Sequence, residues 1–309
     1  MSTTGATVSR KAAPADPLGK RPEPPDMVAY AIGMLLGADD FEAEQLYHRG
    51  RLARALRYLH GAGTVAGLRV EWVAPLAEGA DADFPRGREE EVRVQPGVAV
   101  DRLGRLIEVP ATACIRLQRW YDAQEPDRLT AALHPKEAGD PLAGIVVDLF
   151  IRHHLCERGK TPAFADGPFD ALDAVRPARL REFYKLELIL RDESPPPLPL
   201  NPWTNLSGIA DPAQRWRTLQ EDIFKAWQEG SESTSGGWGT DGPAPLREHV
   251  VGQDTTSLFL ARLTLPAVAA ETNDTRPARQ QGETVKVDNH SRPFVYTTGA
   301  LARWLGLTM

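Results

Sequence analysis

The chain has 309 residues, of which 42% are hydrophobic and 25% charged, enough to bury a core in one or two domains. Its net charge of −6 comes from acidic and basic residues that are well mixed, so no basic face stands ready for phosphates, and nucleic acid is not expected as a partner. No stretch approaches the roughly 18–20 apolar residues that span a bilayer, and the first residues lack the apolar core of a secretory signal. With only Cys114 and Cys156 there is no disulfide framework, which fits a reducing compartment.

Residues 1–26 are rich in Pro, Ala, Lys and Asp without hydrophobic period, and read as an arm that orders only on a partner. A helix is expected over Phe41–His60, with Leu52, Leu56 and Leu59 at helical spacing. Asp39 and Glu42 fit a capping box at its start, and Gly61 fits the left-handed residue that ends it. From Val65 the period becomes two, giving strands around Val70–Trp72, Val92–Val94, Val98–Val100 and Leu106–Val109. The last two should form a hairpin through Asp101-Arg102-Leu103-Gly104.

Gly144–Ile151 is a nearly unbroken apolar run, as in a strand covered on both faces, and Tyr184–Leu190 alternates. Gly159-Lys160-Thr161 reads as a turn after the first of these strands. A second helix should occupy 211–229, capped by Asp211 with Pro212 at its first position and an apolar stripe of Trp216, Leu219, Ile223 and Trp227. Strands at Leu258–Leu265 and Thr284–Val287 and a short terminal helix with Leu301, Trp304 and Leu305 complete the pattern. The expected fold is α+β with a mainly antiparallel, β-sandwich-like core. It divides into an arm (1–26), a helix and β-rich domain (27–193) and a C-terminal part (194–309) that packs on the same core or forms a second small domain.

No specific catalytic motif emerges. Gly159-Lys160-Thr161 imitates the end of a phosphate-binding loop, but His154 stands where its first glycine belongs. His153, His154 and Cys156 are metal-binding types at a spacing that a strand directs to opposite faces. Asp39, Asp40 and Glu44 fit helix capping and a solvated face better than acid/base work. No catalytic residue, cofactor site or metal site is therefore assigned. Trp216, Trp227 and Trp304 fit apolar stripes and are expected in the core. Trp203 and Trp238 lie in Pro- or Gly-rich loops and are interface candidates.

The stretch Tyr30-Ala-Ile-Gly-Met-Leu-Leu-Gly-Ala-Asp-Asp-Phe-Glu-Ala-Glu-Gln-Leu-Tyr-His48 resembles the opening of a family of proteins encoded among the parts of phage tails and extracellular contractile injection systems. The likeness continues in order through Pro96–Arg105, Arg179–Glu182, Leu260–Leu263 and Val287–Pro293. The opening is also similar to the start of a trimeric baseplate adaptor of type VI secretion. Longer loops at 76–88 and 230–242, and the lack of a second cysteine beside Cys156, depart from the pattern. The resemblance implies a structural, non-enzymatic component at a baseplate, fibre attachment or cap. Such a component would assemble in the cytoplasm as an oligomer with other particle proteins, within a particle that can be released. Arg10, Lys11 and Arg21 of the arm join the two tryptophans as interface candidates. The alternatives are a particle-borne enzyme or effector using Asp40 or Glu44, and a receptor- or glycan-binding tip.

Overall fold

The computed structural model describes residues 18, 26–134, 144–162, 175–200, 205–229, 238–239, 242–270, 276–280 and 282–306. The first half runs α1 (Ala38–His60), β1 (Gly63–Gly67), β2 (Val70–Val73), β3 (Glu91–Val94), β4 (Gly97–Val100), β5 (Leu106–Val109), β6 (Ala113–Arg116), α2 (Leu117–Asp122), α3 (Pro126–Ala131) and β7 (Leu133–His134). The second half runs β8 (Gly144–Pro162), β9 (Val175–Leu190), α4 (Pro212–Glu229), β10 (Trp238–Gly239), β11 (Gly242–Pro243), β12 (Leu258–Val268), β13 (Ala278–Arg279), β14 (Lys286–Asp288) and α5 (Thr298–Trp304). The fold is mixed α+β with mainly antiparallel sheets.

Small sheets β1-β4-β5 and β2-β3-β6 and a larger one built on β12 and β8 share one hydrophobic core. Ile145, Val147, Leu149 and Ile151 project from one face of β8, as the period of two requires, and meet Leu68, Val92, Ile107, Leu260 and Leu263. Each such fully buried aliphatic side chain stabilises the fold by about 1.5–3 kcal/mol relative to exposure. Because β12 pairs with β8 from Leu258↔Ile151 to Pro266↔Gly144, the C-terminal part lies in the same sheet as the middle of the chain.

The β4–β5 hairpin forms where its loop sequence places it. Asp101 organises the loop: its Oδ1 accepts the Leu103 and Arg105 amides, each at 2.9 Å, and its Oδ2 accepts Arg105 Nε at 2.6 Å. Gly104 has φ +84, and a Cβ there would lie 1.9 Å from the Ala53 carbonyl oxygen. Ala53 is the only described residue of α1 that is buried, so this close approach seats the helix on the hairpin. Gly67 is similarly enforced, at φ +65 with Pro96 O 2.1 Å from the position of a Cβ.

Several expectations are corrected. Helix α1 begins at Ala38, and its start is held by the Gly37 amide donating to Asp40 Oδ2 at 2.8 Å, not by an Asp39/Glu42 box. Gly61 ends it at φ 73 but with ψ −175, outside the left-handed helical region. Its predicted stripe is not buried: Leu52 and Leu59 are exposed and Leu56 is half-buried. Trp216 (62% exposed) and Trp304 (83%) face solvent, not the core, and the side chain of Trp227 lies outside the described residues. Gly159-Lys160-Thr161 lies within β8, not in a turn, because β9 continues to satisfy its backbone as far as Pro162↔Val175. Helices α2 and α3, unmarked by the sequence reading, form with Leu117, Tyr121 and Leu129 buried.

Candidate functional site

Two features stand out: a buried ionic network at the root of the β8–β9 hairpin, and a set of exposed surfaces around it. The network begins at Asp148, whose side chain is wholly buried on the face of β8 opposite the apolar core residues. Both its oxygens accept from Arg262 on the paired strand β12, at 2.7 and 2.8 Å. Arg191 Nε lies 3.5 Å from the same carboxylate. Arg191, itself fully buried, is held by Glu193 at 3.1 and 2.9 Å and donates to the Glu248 carbonyl at 2.5 Å. Arg262 also ties down the Pro196 and Pro197 carbonyls, each at 2.9 Å. Burial pushes the Asp148 carboxyl above its ordinary range, and the hydrogen bonds and charges of Arg262, with the Arg191 charge, pull against it.

A second group extends this network through the loop 244–257. Arg102 donates to the Ala244 and Thr255 carbonyls at 2.5 and 2.8 Å, and Arg105 reaches Thr256 Oγ1 at 3.0 Å. Burial opposes ionisation of Asp254, but the Thr256 hydroxyl and amide and the Arg152 charge outweigh it and hold the carboxyl below its ordinary range. His249 Nδ1 accepts the Leu246 amide at 2.9 Å, which leaves Nε2 to donate to the Ser257 carbonyl, also at 2.9 Å. The tautomer follows from these two partners. Burial pushes the imidazole below its ordinary value, and the nearby Arg102 and Arg191 charges act the same way against the Ser257 bond. These groups staple a long loop to the β4–β5 hairpin and to β8, and the partners of their charged atoms come from the protein itself.

The neutral His249 makes stability depend on pH. An unfolded histidine takes its proton near about 6.5, whereas the folded one does so lower, so the unfolded state binds more protons between the two values. Stability is therefore full above pH ~6.5 and is lost as pH falls below it, toward the folded value. Thermal melts from pH 7.5 down to about 5.5 should show a drop that is smaller in His249→Gln. Parallel pH profiles for the two proteins would contradict the assignment.

The motif residues of the resemblance divide between framework and surface. Asn289 bridges the Val70 amide and carbonyl at 2.9 Å each, Arg292 donates to the Leu68 carbonyl at 2.7 Å, and Thr64 N bonds Pro293 O at 2.9 Å. The Val287–Pro293 pattern thus locks the β1–β2 corner. In contrast Ile32, Leu35 and Phe41 of the opening motif are exposed, with Met34 and Leu36 partly so. Asp40 is used as the helix cap, and Glu44 pairs with His48 at 2.8 Å.

The outer half of the β8–β9 hairpin is a second exposed surface. Beyond Ile151, β8 leaves β12 and among the described residues pairs only with β9, and Glu157–Pro162 and Pro177–Phe183 are exposed. Regular alternation puts Arg158, Lys160, Arg179 and Arg181 on one face, with Arg158 directly across from Arg179. Like charges so placed destabilise a strand pair unless an anionic surface meets them. This local concentration was missed because the cations come from two separated stretches of the chain.

Of the predicted interface residues, Trp238 lies in β10, its backbone paired with Pro243. Trp203, Arg10, Lys11 and Arg21, with nearly all of the expected arm, lie outside the described residues. His153 is buried and paired across the hairpin with Tyr184, while His154 and Cys156 occupy the other face. Among the described residues no cluster of three His, Cys, Asp or Glu could hold a metal ion, and no helix is long and apolar enough to cross a membrane. Neither a family model nor a curated protein matches the chain.

Proposed function

We propose that the chain is a structural component of a contractile, phage-tail-like injection particle, acting through contacts between subunits at a baseplate, fibre attachment or cap. The observation that carries this reading is the amount of apolar side chain left in solvent on helices and their approaches. Ile32 and Leu35 before α1, Leu52 and Leu59 on it, Trp216, Ile223 and Phe224 on α4, and Trp304 at the end of α5 with Leu305 just after it are all exposed. Single exposed apolar residues are ordinary, but clusters at helical spacing mark surfaces that bury against another chain. The ribbon of β8 and β9, whose outer edges are unpaired among the described residues and which carries a basic face, adds a further exposed surface. Its charges and prolines block edge pairing and favour recognition by side chains. The choice of particle rests on the motif series from Tyr30 to Pro293.

The test is to isolate the particle from cells whose copy of this chain carries an epitope tag, and to image it. Tag density at a fixed position, with loss of complete particles when the gene is deleted, is the expected result. Complete, active particles that form without the chain and contain no copy of it would overturn the reading.

A further inference from the structure

Residues directly across from each other on β8 and β9 point to the same side, so one face of the ribbon carries Arg152, Arg158 and Lys160 with Lys185, Arg179 and Arg181. Near the root, Arg152 and Lys185 have acids beside them. Glu187 lies 3.4 Å from Arg152 and 2.6 Å from Lys185, and Asp254 of the loop 244–257 lies 3.4 Å from Arg152. Farther out, Arg158, Lys160, Arg179 and Arg181 are exposed, and among the described residues none of them meets a carboxylate. The acids of the outer ribbon, Glu157 and Glu182, fall on the opposite face, where Glu182 lies 3.9 Å from Arg49 of α1. One face thus turns to the body of the chain, and the other is open and of a single sign.

We infer that this open face binds an extended acidic segment of a partner protein, with carboxylates at alternate positions. The inference rests on the assembly reading and deepens it by giving the chemistry of one neighbour. Successive rows of cations follow at two-residue steps, ~6.6–6.8 Å along the strands. An extended peptide repeats the side chains of one side at the same step, so alternate Asp or Glu residues meet successive rows. Arg158, Arg179 and Arg181 each present a fork that takes a carboxylate in two bonds. A carboxylate reaching the facing pair Arg158 and Arg179 also relieves their mutual repulsion. The root shows the same pattern within the chain, since Asp254 comes from a segment 102 residues away to answer Arg152. Nucleic acid fits less well, because its phosphates run on past these cations and the rest of the chain is more negative than the net −6. A lipid surface also fits less well, because the face beyond Cys156 offers no large apolar side chain to insert.

Fluorescence anisotropy of the full chain with a labelled octapeptide alternating Glu and Thr should give a dissociation constant of about 100 µM at low salt, a weak affinity set by exposed pairs. An octapeptide of the same composition with its Glu residues in one block should bind at least about threefold more weakly. Arg158→Glu should weaken binding about tenfold, and Arg158→Glu/Arg179→Glu should abolish it. The single variant should melt no lower than the parent, because it replaces a like-charge pair across the strands with an opposite one, so its loss of binding is not a loss of fold. Arg217→Glu, the same change of charge on the exposed part of α4, should leave binding unchanged. No binding by the parent chain, an equal loss in Arg217→Glu, or equal affinity for the two peptides would overturn the inference. So would tighter binding to a thymidine oligonucleotide or to phosphatidylglycerol vesicles, lost in the same double variant. These outcomes are read on the purified chain and leave the particle-imaging test intact, so the two proposals fail separately.

Discussion

Replacing Asp148 with Ala is expected to lower the free energy of unfolding by about 3–5 kcal/mol, read from urea melts at neutral pH. The size follows from what remains. Arg191 is wholly buried and Arg262 nearly so, and the carboxylate is what both guanidiniums share. Removing it leaves two positive charges facing each other between β8 and β12, with Glu193, itself partly exposed, the nearest compensation. Asp148→Asn keeps the volume but not the charge and should fall close to the alanine variant. A loss below about 1 kcal/mol for both, the scale of an exposed ion pair, would mean that the network does not hold the hairpin root. The triple replacement of Asp148, Arg191 and Arg262 by apolar residues of similar volume should be far milder than Asp148→Ala alone, since it leaves no buried charge and only the partly exposed Glu193 unpaired.

Phe150→Ala should cost a comparable amount, about 3–5 kcal/mol, by opening a cavity in a packed site. Phe150 is 1% exposed and lies on the same face of β8 as Asp148. Its ring meets Phe259 edge-on at 5.7 Å between centroids and lies 5.9 Å from the His249 imidazole. The variant should therefore loosen the loop 244–257 as well as the sheet, and amide exchange there should rise more than in β2 and β3. Uniform exchange changes across the molecule would argue that the loop is not anchored through this aromatic contact. By comparison, Leu52→Ala on α1 should change stability by less than about 0.5 kcal/mol, because the side chain is exposed.

Both large effects concentrate where the hairpin leaves the body. The inner half of β8 is fixed by apolar residues on one face and by ions on the other, while beyond Ile151 its backbone pairs, among the described residues, with β9. A stiff root under a projecting ribbon suits an element that carries load between subunits, in line with the proposed structural role. The stapled loop serves the same end: Arg102 and Arg105 tie it to the β4–β5 hairpin, and the His249–Ser257 bond closes it on itself.

Much of the framework was legible because it rests on local rules. The period of two marked the β strands, Asp101 to Gly104 marked the hairpin loop, and Asp211 with Pro212 marked the start of α4, where the Ala213 amide indeed bonds Asp211 Oδ1 at 3.0 Å. The ionic network left one trace: Asp148 is the lone charge inside Gly144–Ile151, and a charge in a buried run demands a partner. The sequence could not say which partner, because Arg191 and Arg262 reach it only through strand register.

The helices show the limit from the other side. By itself the sequence determined that α1, α4 and α5 are amphipathic, since spacing along the chain decides which residues share a face. Whether such a face is buried is decided by what packs against it. In the tertiary structure the core is filled by strands from both ends of the chain, which leaves Trp216, Ile223 and Trp304 in solvent. Periodicity fixes the direction of a side chain, whereas burial is a property of the neighbours that only the assembled chain supplies.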